Sequence, residues 1–291
     1  MEASLALSFS SPNAHLVFNI LNSAPPSPTN GKPFYSFYRN FWPKSPKALT
    51  FSHPSKNSFL LSPPYAVAQA LETTTESCIL PKGAFSKLDN GGKFHSPRAA
   101  RELALLIAYA ACLEGSDPVF LLDRRVNAKK VPGYVFDKNS LLEYDHMSFS
   151  GEPVQVKSEE EAEELMRKNE KASKIEAEVL SAPPKLVYNK FVLRFARDLL
   201  GAVVNQWNEH VLVIDKIIPQ NWKDEPTARI LELSILHLAM AEITEIGTKH
   251  QIVINEAIDL TKRFCDGSAP RIINGCLRTF IKDYNSRIAA A

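Results

Sequence analysis

After residue 95 the apolar residues recur every three or four positions, the spacing of amphipathic helices. Ala99, Leu103, Ile107 and Ala110 share one face, with Leu106 and Tyr109 beside them. Ser96 is a good N-cap, Pro97 suits a first helical position, and Gly115 is a natural stop. Beyond residue 186 the pattern strengthens. Phe191, Phe195, Leu199 and Ala202 keep to one face, and Trp207, Val211, Ile214 and Ile218 continue as a second stripe that Pro219 ends. Asn221-Trp222 reads as a turn. Pro226 opens a helix carrying Ile230, Leu231, Ile235, Leu238 and Ile243, with Gly247 as its stop. Val253, Ala257, Leu260 and Phe264 line another, and Ile273, Leu277, Phe280 and Tyr284 line the last, which starts near Pro270 after a Gly267-Ser268 turn. No stretch alternates with period two for long enough to argue a sheet. The pattern predicts an all-α bundle of about seven helices.

Residues 117–185 interrupt this order as an insertion. Pro118, Pro132, Gly133, Gly151 and Pro153 break its first half. Its second half, about 158–180, predicts a polar helix with Glu163/Arg167, Glu164/Lys168 and Glu170/Lys174 at i,i+4 spacing. Its large apolar residues (Leu165, Met166, Ile175, Val179 and Leu180) cluster near the ends, which fits a solvated surface helix.

Charge divides the chain differently. Residues 1–70 hold five basic residues, one acidic residue, 12 serines and 10 of the 20 prolines. The remainder holds 29 basic and 31 acidic residues, so the net +2 comes from the N-terminal segment. That segment cannot form long helices against so many prolines. Its hydroxylated, nearly acid-free composition predicts a disordered chloroplast-type transit peptide and a stromal location. No basic residue precedes Lys32, which disfavours a mitochondrial presequence or a secretory signal. Residues 71–94 then read as a linker and 95–291 as the helical domain. A basic nucleic-acid coat over the folded part is excluded, so any nucleic-acid contact is a local patch. No window approaches 18 uninterrupted apolar residues, and no membrane span is expected.

Enzyme chemistry finds no support. The chain lacks GxxxxGK, GxGxxG, HExxH and GxSxG. Cys78, Cys112, Cys265 and Cys276 form no CxxC pair, and none stands at metal-ligand spacing from a histidine. His237 falls on a helix expected to be buried and reads as a core histidine. Asp224-Glu225 and Glu159–Glu164 lack a partnering nucleophile or histidine and read as polar surface. No enzyme activity, cofactor or metal is expected.

Four words of the sequence carry a resemblance. Residues 98–109 read Arg-Ala-Ala-Arg-Glu-Leu-Ala-Leu-Leu-Ile-Ala-Tyr, and 195–201 read Phe-Ala-Arg-Asp-Leu-Leu-Gly. Residues 252–264 read Ile-Val-Ile-Asn-Glu-Ala-Ile-Asp-Leu-Thr-Lys-Arg-Phe, and 273–277 contain Ile-Asn-Gly-x-Leu. In this order they resemble helices of the NusB family, over 96–117 and 187–285. Family sequences often read Leu-Arg-Leu-Ala-x-Tyr-Glu where this chain has Leu-His-Leu-Ala-Met-Ala-Glu at 236–242. The resemblance implies two packed three-helix bundles. It also implies an RNA-binding transcription antitermination or rRNA-biogenesis factor, needing no cofactor. Such a factor pairs with a small-subunit ribosomal protein (NusE) on boxA-like nascent rRNA, and a plastid-targeted form would serve the plastid RNA polymerase complex.

The same resemblance implies an RNA face made by Arg98, Arg101, Tyr109, Glu232, Lys262, Phe264 and Arg271. Arginines can fork onto phosphates, and exposed aromatics can stack on unpaired bases. Six of the seven also have a plainer reading. Phe264 continues a buried stripe, Tyr109 fits a core, and Lys262 and Arg271 fit ordinary surface charge. Arg98 and Arg101 fit solvated positions, since a cation at a helix start opposes the dipole. A scaffold that keeps the fold and has lost RNA binding, with the polar helix as its docking surface, is the alternative function. An RNA methyltransferase with a NusB-like leader is disfavoured, because the residues after the helical domain leave no room for a catalytic one.

Overall fold

The helix starts follow from local chemistry. In the computed structural model, which describes residues 88–129, 133–146, 156, 158–265 and 267–290, α1 spans Pro97–Glu114. Ser96 Oγ accepts the Ala99 N–H at 3.2 Å, and Gly115 ends the helix at φ +65°. That left-handed turn suits glycine, which has no Cβ to clash. Pro118 is not a breaker but the first residue of α2 (Pro118–Val126), because Asp117 accepts the Phe120 N–H at 2.8 Å and caps it. The axes of α1 and α2 are bent by 114° at this break. Short α3 (Asn139–Glu143) precedes α4 (Glu159–Ser181), whose N-cap is Ser158 and whose first turn carries Glu159, Glu160 and Glu161. Those carboxylates complement the positive end of the helix dipole. The polar helix is therefore present at the expected position.

After short α5 (Pro184–Val187), Asn189 caps α6 (Lys190–Ile217). The two stripes, read as Phe191 to Ala202 and from Trp207 onward, lie on one unbroken 28-residue helix, about 42 Å long. Trp222 lies in a short helix, α7 (Gln220–Asp224), and not in a turn. Its indole is 2% exposed and holds this connection against the core. A 3-10 turn at Pro226–Arg229 leads into α8 (Ile230–Ala241), and a π-turn at Glu242–Ile246 leaves it. α9 (His250–Phe264) and α10 (Ala269–Ala290) complete the order.

The core is organised around α8. Every residue of α8 except Leu231 is buried, as in a helix apolar all round. α1 and α6 pack on it and on each other, and α9 and α10 do the same from another side. The two three-helix sets, α1/α6/α8 and α8/α9/α10, thus meet in a shared central helix. α1 is buried without interruption from Ala99 to Cys112, where six alanines let its neighbours approach closely. The described residues contain no strand, only isolated bridges from Phe94 to Leu88 and to Tyr188. The architecture is all-α. Among the described residues no single helix is long and apolar enough to cross a membrane.

Expected segments 1–70 and 71–87 lie outside the described residues, as do 147–155 of the insertion and Cys78. Residues 88–94, read as linker, are tied down. Phe94 is 1% exposed, donates its N–H to the Val187 carbonyl at 2.9 Å and accepts from Asn189 N–H at 3.0 Å.

Candidate nucleic-acid interface

The first turn of α1 meets the middle of α9, and the charges there compensate one another. Arg98 Nη2 donates to Asp259 Oδ2 at 2.6 Å and to Glu256 Oε1 at 3.1 Å. Arg101, one turn on, holds Glu242 in a two-pronged grip, Nε to Oε2 at 2.8 Å and Nη2 to Oε1 at 2.6 Å. Its Nη1 also lies 3.5 Å from Glu256 Oε2. Glu242 sits on the π-turn, which aims its carboxylate back at α1. Lys262 Nζ approaches Asp259 Oδ1 at 3.7 Å while keeping 48% of its side chain in solvent. Three cations therefore face three carboxylates. Buried arginines need such partners, since an unpaired buried charge is costly. α9 supplies Glu256 and Asp259 one turn apart, on a single face at i,i+3 spacing.

The seven expected residues divide by exposure. Arg98 keeps 14% of its side chain accessible, Lys262 about half, and Arg271 is exposed at the start of α10. Among the described residues Arg271 makes no ion pair. Arg101 (8% exposed), Tyr109 (6%), Glu232 (5%) and Phe264 (4%) are buried, so as folded they offer a strand of RNA little or no surface. Burial pushes the Tyr109 phenol well above its usual range, with Cys112 and Glu232 adding to the shift. Glu232 accepts from Arg229 Nη1 at 2.9 Å, and Phe264 lies under the Arg263 guanidinium. These four belong to the interior of the fold.

Two features were not expected. Phe191, read as sharing one face with Phe195, Leu199 and Ala202, is 43% exposed and stacks on half-buried Phe195 with a ring separation of 6.0 Å. Phe195 in turn lies 5.7 Å below the Arg101 guanidinium, a cation–π contact. The second feature is a buried ionic cluster beside α1. Arg263, on α9, donates to Glu176 Oε1 of α4 at 2.8 Å and to Tyr144 Oη at 3.0 Å, and lies 3.6 Å from Glu102 Oε1. Tyr144 and His146 both bond Glu102, and Arg263 also reaches the Asp145 carbonyl. Burial alone would raise the Glu102 carboxyl, but His146, Arg263 and Tyr144 outweigh it and hold the group below the usual carboxylate range. For Glu176 burial prevails over Arg263, and its carboxyl is raised. The cluster ties α4 into the core, so α4 is solvated along its first two thirds only. A carboxylate inside the apolar run that follows Arg101 was the signal available for Glu102, since buried charge implies a partner.

Known proteins share this sequence in part. Residues 154–282 match the model of the NusB family. The matched span includes α4, read above as part of an insertion, and begins after α1. The chain is similar to the transcription antitermination protein NusB of Staphylococcus aureus, with 38% identity over 82 residues, 28% of this chain and 64% of that one. It is also similar to the NusB of Nostoc punctiforme, with 35% identity over 92 residues, 31% of this chain and 41% of that one. A Synechococcus NusB is 39% identical over 80 residues, 27% of this chain and 38% of that one. The chain thus spans less than two thirds of the curated relatives it matches. No solved structure matches it significantly.

Proposed function

We propose that this chain, whose residues 154–282 match the model of the NusB family, is an RNA-binding transcription antitermination and rRNA-biogenesis factor. It acts in the chloroplast stroma on boxA-like RNA, together with a small-subunit ribosomal protein of the NusE type and the plastid RNA polymerase complex. Relatives in Nostoc and Synechococcus are named as transcription antitermination proteins, and the acid-poor, serine- and proline-rich residues 1–70 favour a plastid address.

The observation that carries this reading is the shared carboxylate of Asp259. It holds Arg98 and Lys262 side by side where α1 meets α9, with both cations reachable from solvent. A phosphate arriving there can take donors from both, exchanging a protein carboxylate for an RNA oxyanion. Since the local charge is balanced, binding is modest and leans on the ribosomal-protein partner. The test is fluorescence anisotropy of the full chain with labelled boxA-like RNA across a salt series, with and without that partner. Arg98→Ala with Lys262→Ala lowers affinity and flattens the salt slope by about 0.7 for each single-strand phosphate that is no longer neutralised. Absence of RNA binding under both conditions refutes the reading.

A second reading rests on the burial of Arg101, Tyr109, Glu232 and Phe264. With four of seven RNA-face positions inside the fold, the domain serves as a protein-interaction scaffold without RNA. It predicts capture of the ribosomal protein with no RNA requirement and no effect of the double variant.

A further inference from the structure

The aromatic row beside the charge cluster ends in solvent. From the inside outward it runs from Glu242 to Arg101, to Phe195, to Phe191. Glu242 fixes the Arg101 guanidinium from two directions, and that plane lies 5.7 Å from the Phe195 ring. Phe195 and Phe191, one helical turn apart, stack with only 13° between their planes. Each inner member is immobilised by the next, so Phe191 is a pre-set ring with 43% of its surface open. An exposed phenylalanine at a helix start gains little for the fold from that exposure.

Its neighbours carry charge of one sign. Arg194 lies on the same face of α6 as Phe191, at i+3, Lys190 precedes Phe191 and shares a face with Arg194 at i+4, and both cations are exposed. Among the described residues neither makes an ion pair. The first turn of α6 contains no acidic residue, so two cations stand at the positive end of a 28-residue helix. That arrangement opposes the dipole and becomes favourable when an anion arrives. A flat ring with an open face, flanked by unpaired cations and a helix N-terminus, suits a nucleobase with its phosphate.

We propose that Phe191 is a stacking platform for one unpaired base of a single-stranded RNA, with Lys190 and Arg194 holding the flanking phosphates. The row connects through Arg101 and Glu256 to Arg98, and so extends the RNA face onto the first turns of α6. This inference rests on the RNA-binding reading above and names residues that reading does not contain.

The test uses the full chain and a single-stranded boxA-like oligonucleotide carrying 2-aminopurine at successive positions. The wild-type chain quenches the probe at one position. Phe191→Ala loses that quenching and weakens binding about tenfold, within the range alanine substitution of a stacking aromatic gives. Phe191→Trp keeps both, and Phe191→Leu, which retains apolar bulk without a π face, behaves like the alanine variant. Lys190→Ala with Arg194→Ala leaves the quenching position unchanged and flattens the salt slope by about 0.7 for each phosphate left without its cation. If Phe191→Ala or Phe191→Leu binds and quenches as wild type does, the platform is refuted while the RNA reading stands. If Phe191→Ala weakens only the ribosomal protein, the surface is a protein contact and the platform is equally refuted. If the wild-type chain binds no RNA, both fall together.

Discussion

Replacing Arg263 by methionine tests how α4 is held. The guanidinium is 3% exposed and lies against two carboxylates, Glu102 at 1% and Glu176 at 8% exposure. Methionine fills similar volume, so the loss is mainly electrostatic. Glu102 retains Tyr144 and His146 as partners. Glu176 has no other cation paired to it among the described residues, and is left as a buried charge facing an apolar side chain. Removing one member of a buried ion pair costs about 3–5 kcal/mol. For a domain of this size each kcal/mol moves the melting midpoint by about 2–4 °C, so Arg263→Met lowers Tm by roughly 6–20 °C. Thermal melts of the full chain by circular dichroism read this directly. The deficit also depends on pH. Glu176 has a raised carboxyl pKa even with Arg263 present, and losing the cation raises it further. The cost of the variant is therefore present when Glu176 is ionised and shrinks as pH falls and the group takes a proton. Adding Glu176→Gln recovers much of the loss at neutral pH. A variant within about 1 kcal/mol of wild type, or a deficit that grows on acidification, refutes the view that this ion pair anchors the polar helix.

Two further outcomes follow from burial. Desolvation lowers the His210 pKa to about 4 and places His237 well below its usual value, so both stay neutral in the fold while the unfolded chain protonates. Stability is full above the unfolded value near 6.5 and falls as pH drops toward 4, by up to about 1.4 kcal/mol per pH unit for each histidine. His210→Phe flattens urea-denaturation stability across that window, and an unchanged slope would show that His210 titrates normally. Burial likewise pushes the Cys112 thiol up to about 12. Cys112 then resists iodoacetamide at pH 8 in the native chain and reacts on unfolding, as peptide mapping of the labelled protein would record. Rapid native labelling would contradict its burial.

The helices were legible because periodicity and caps are local. Ser96, Pro97, Gly115, Ser158 and Gly247 each act within one turn of chain, and each stands at or next to the boundary it implied. Trp222 and Pro118 were misread because the same residue types serve turns and short helices. What separated them was tertiary for Trp222, a buried indole, and local for Pro118, the Asp117 side-chain cap just before it. Arg98, Lys262 and Arg271 reach solvent; the plainer readings of Phe264 as part of a buried stripe and of Tyr109 as a core residue agree with their burial, whereas the burial of Arg101 and Glu232 was not readable from motif words. Those positions depend on which face of α1, α8 and α9 turns inward, and α1 and α8 are buried on nearly every face. The Arg263 cluster joins Arg263 to Glu176, Tyr144 and Glu102, 87 to 161 positions away, and leaves no periodic trace. Phe191 shows the opposite failure. Helical spacing put it with Phe195 and Leu199 on a common face, but it stands in the first turn, where that face runs out of neighbours.

The path proposed for RNA crosses the start of α1, the middle of α9 and the first turns of α6. Photocrosslinking of a 4-thiouridine-substituted boxA-like RNA to the full chain, followed by mass-spectrometric mapping of the adducts, follows that path residue by residue. Adducts are expected within residues 93–101, 187–198 and 256–271. Adducts confined to α4 or to the C-terminal half of α10 would contradict it.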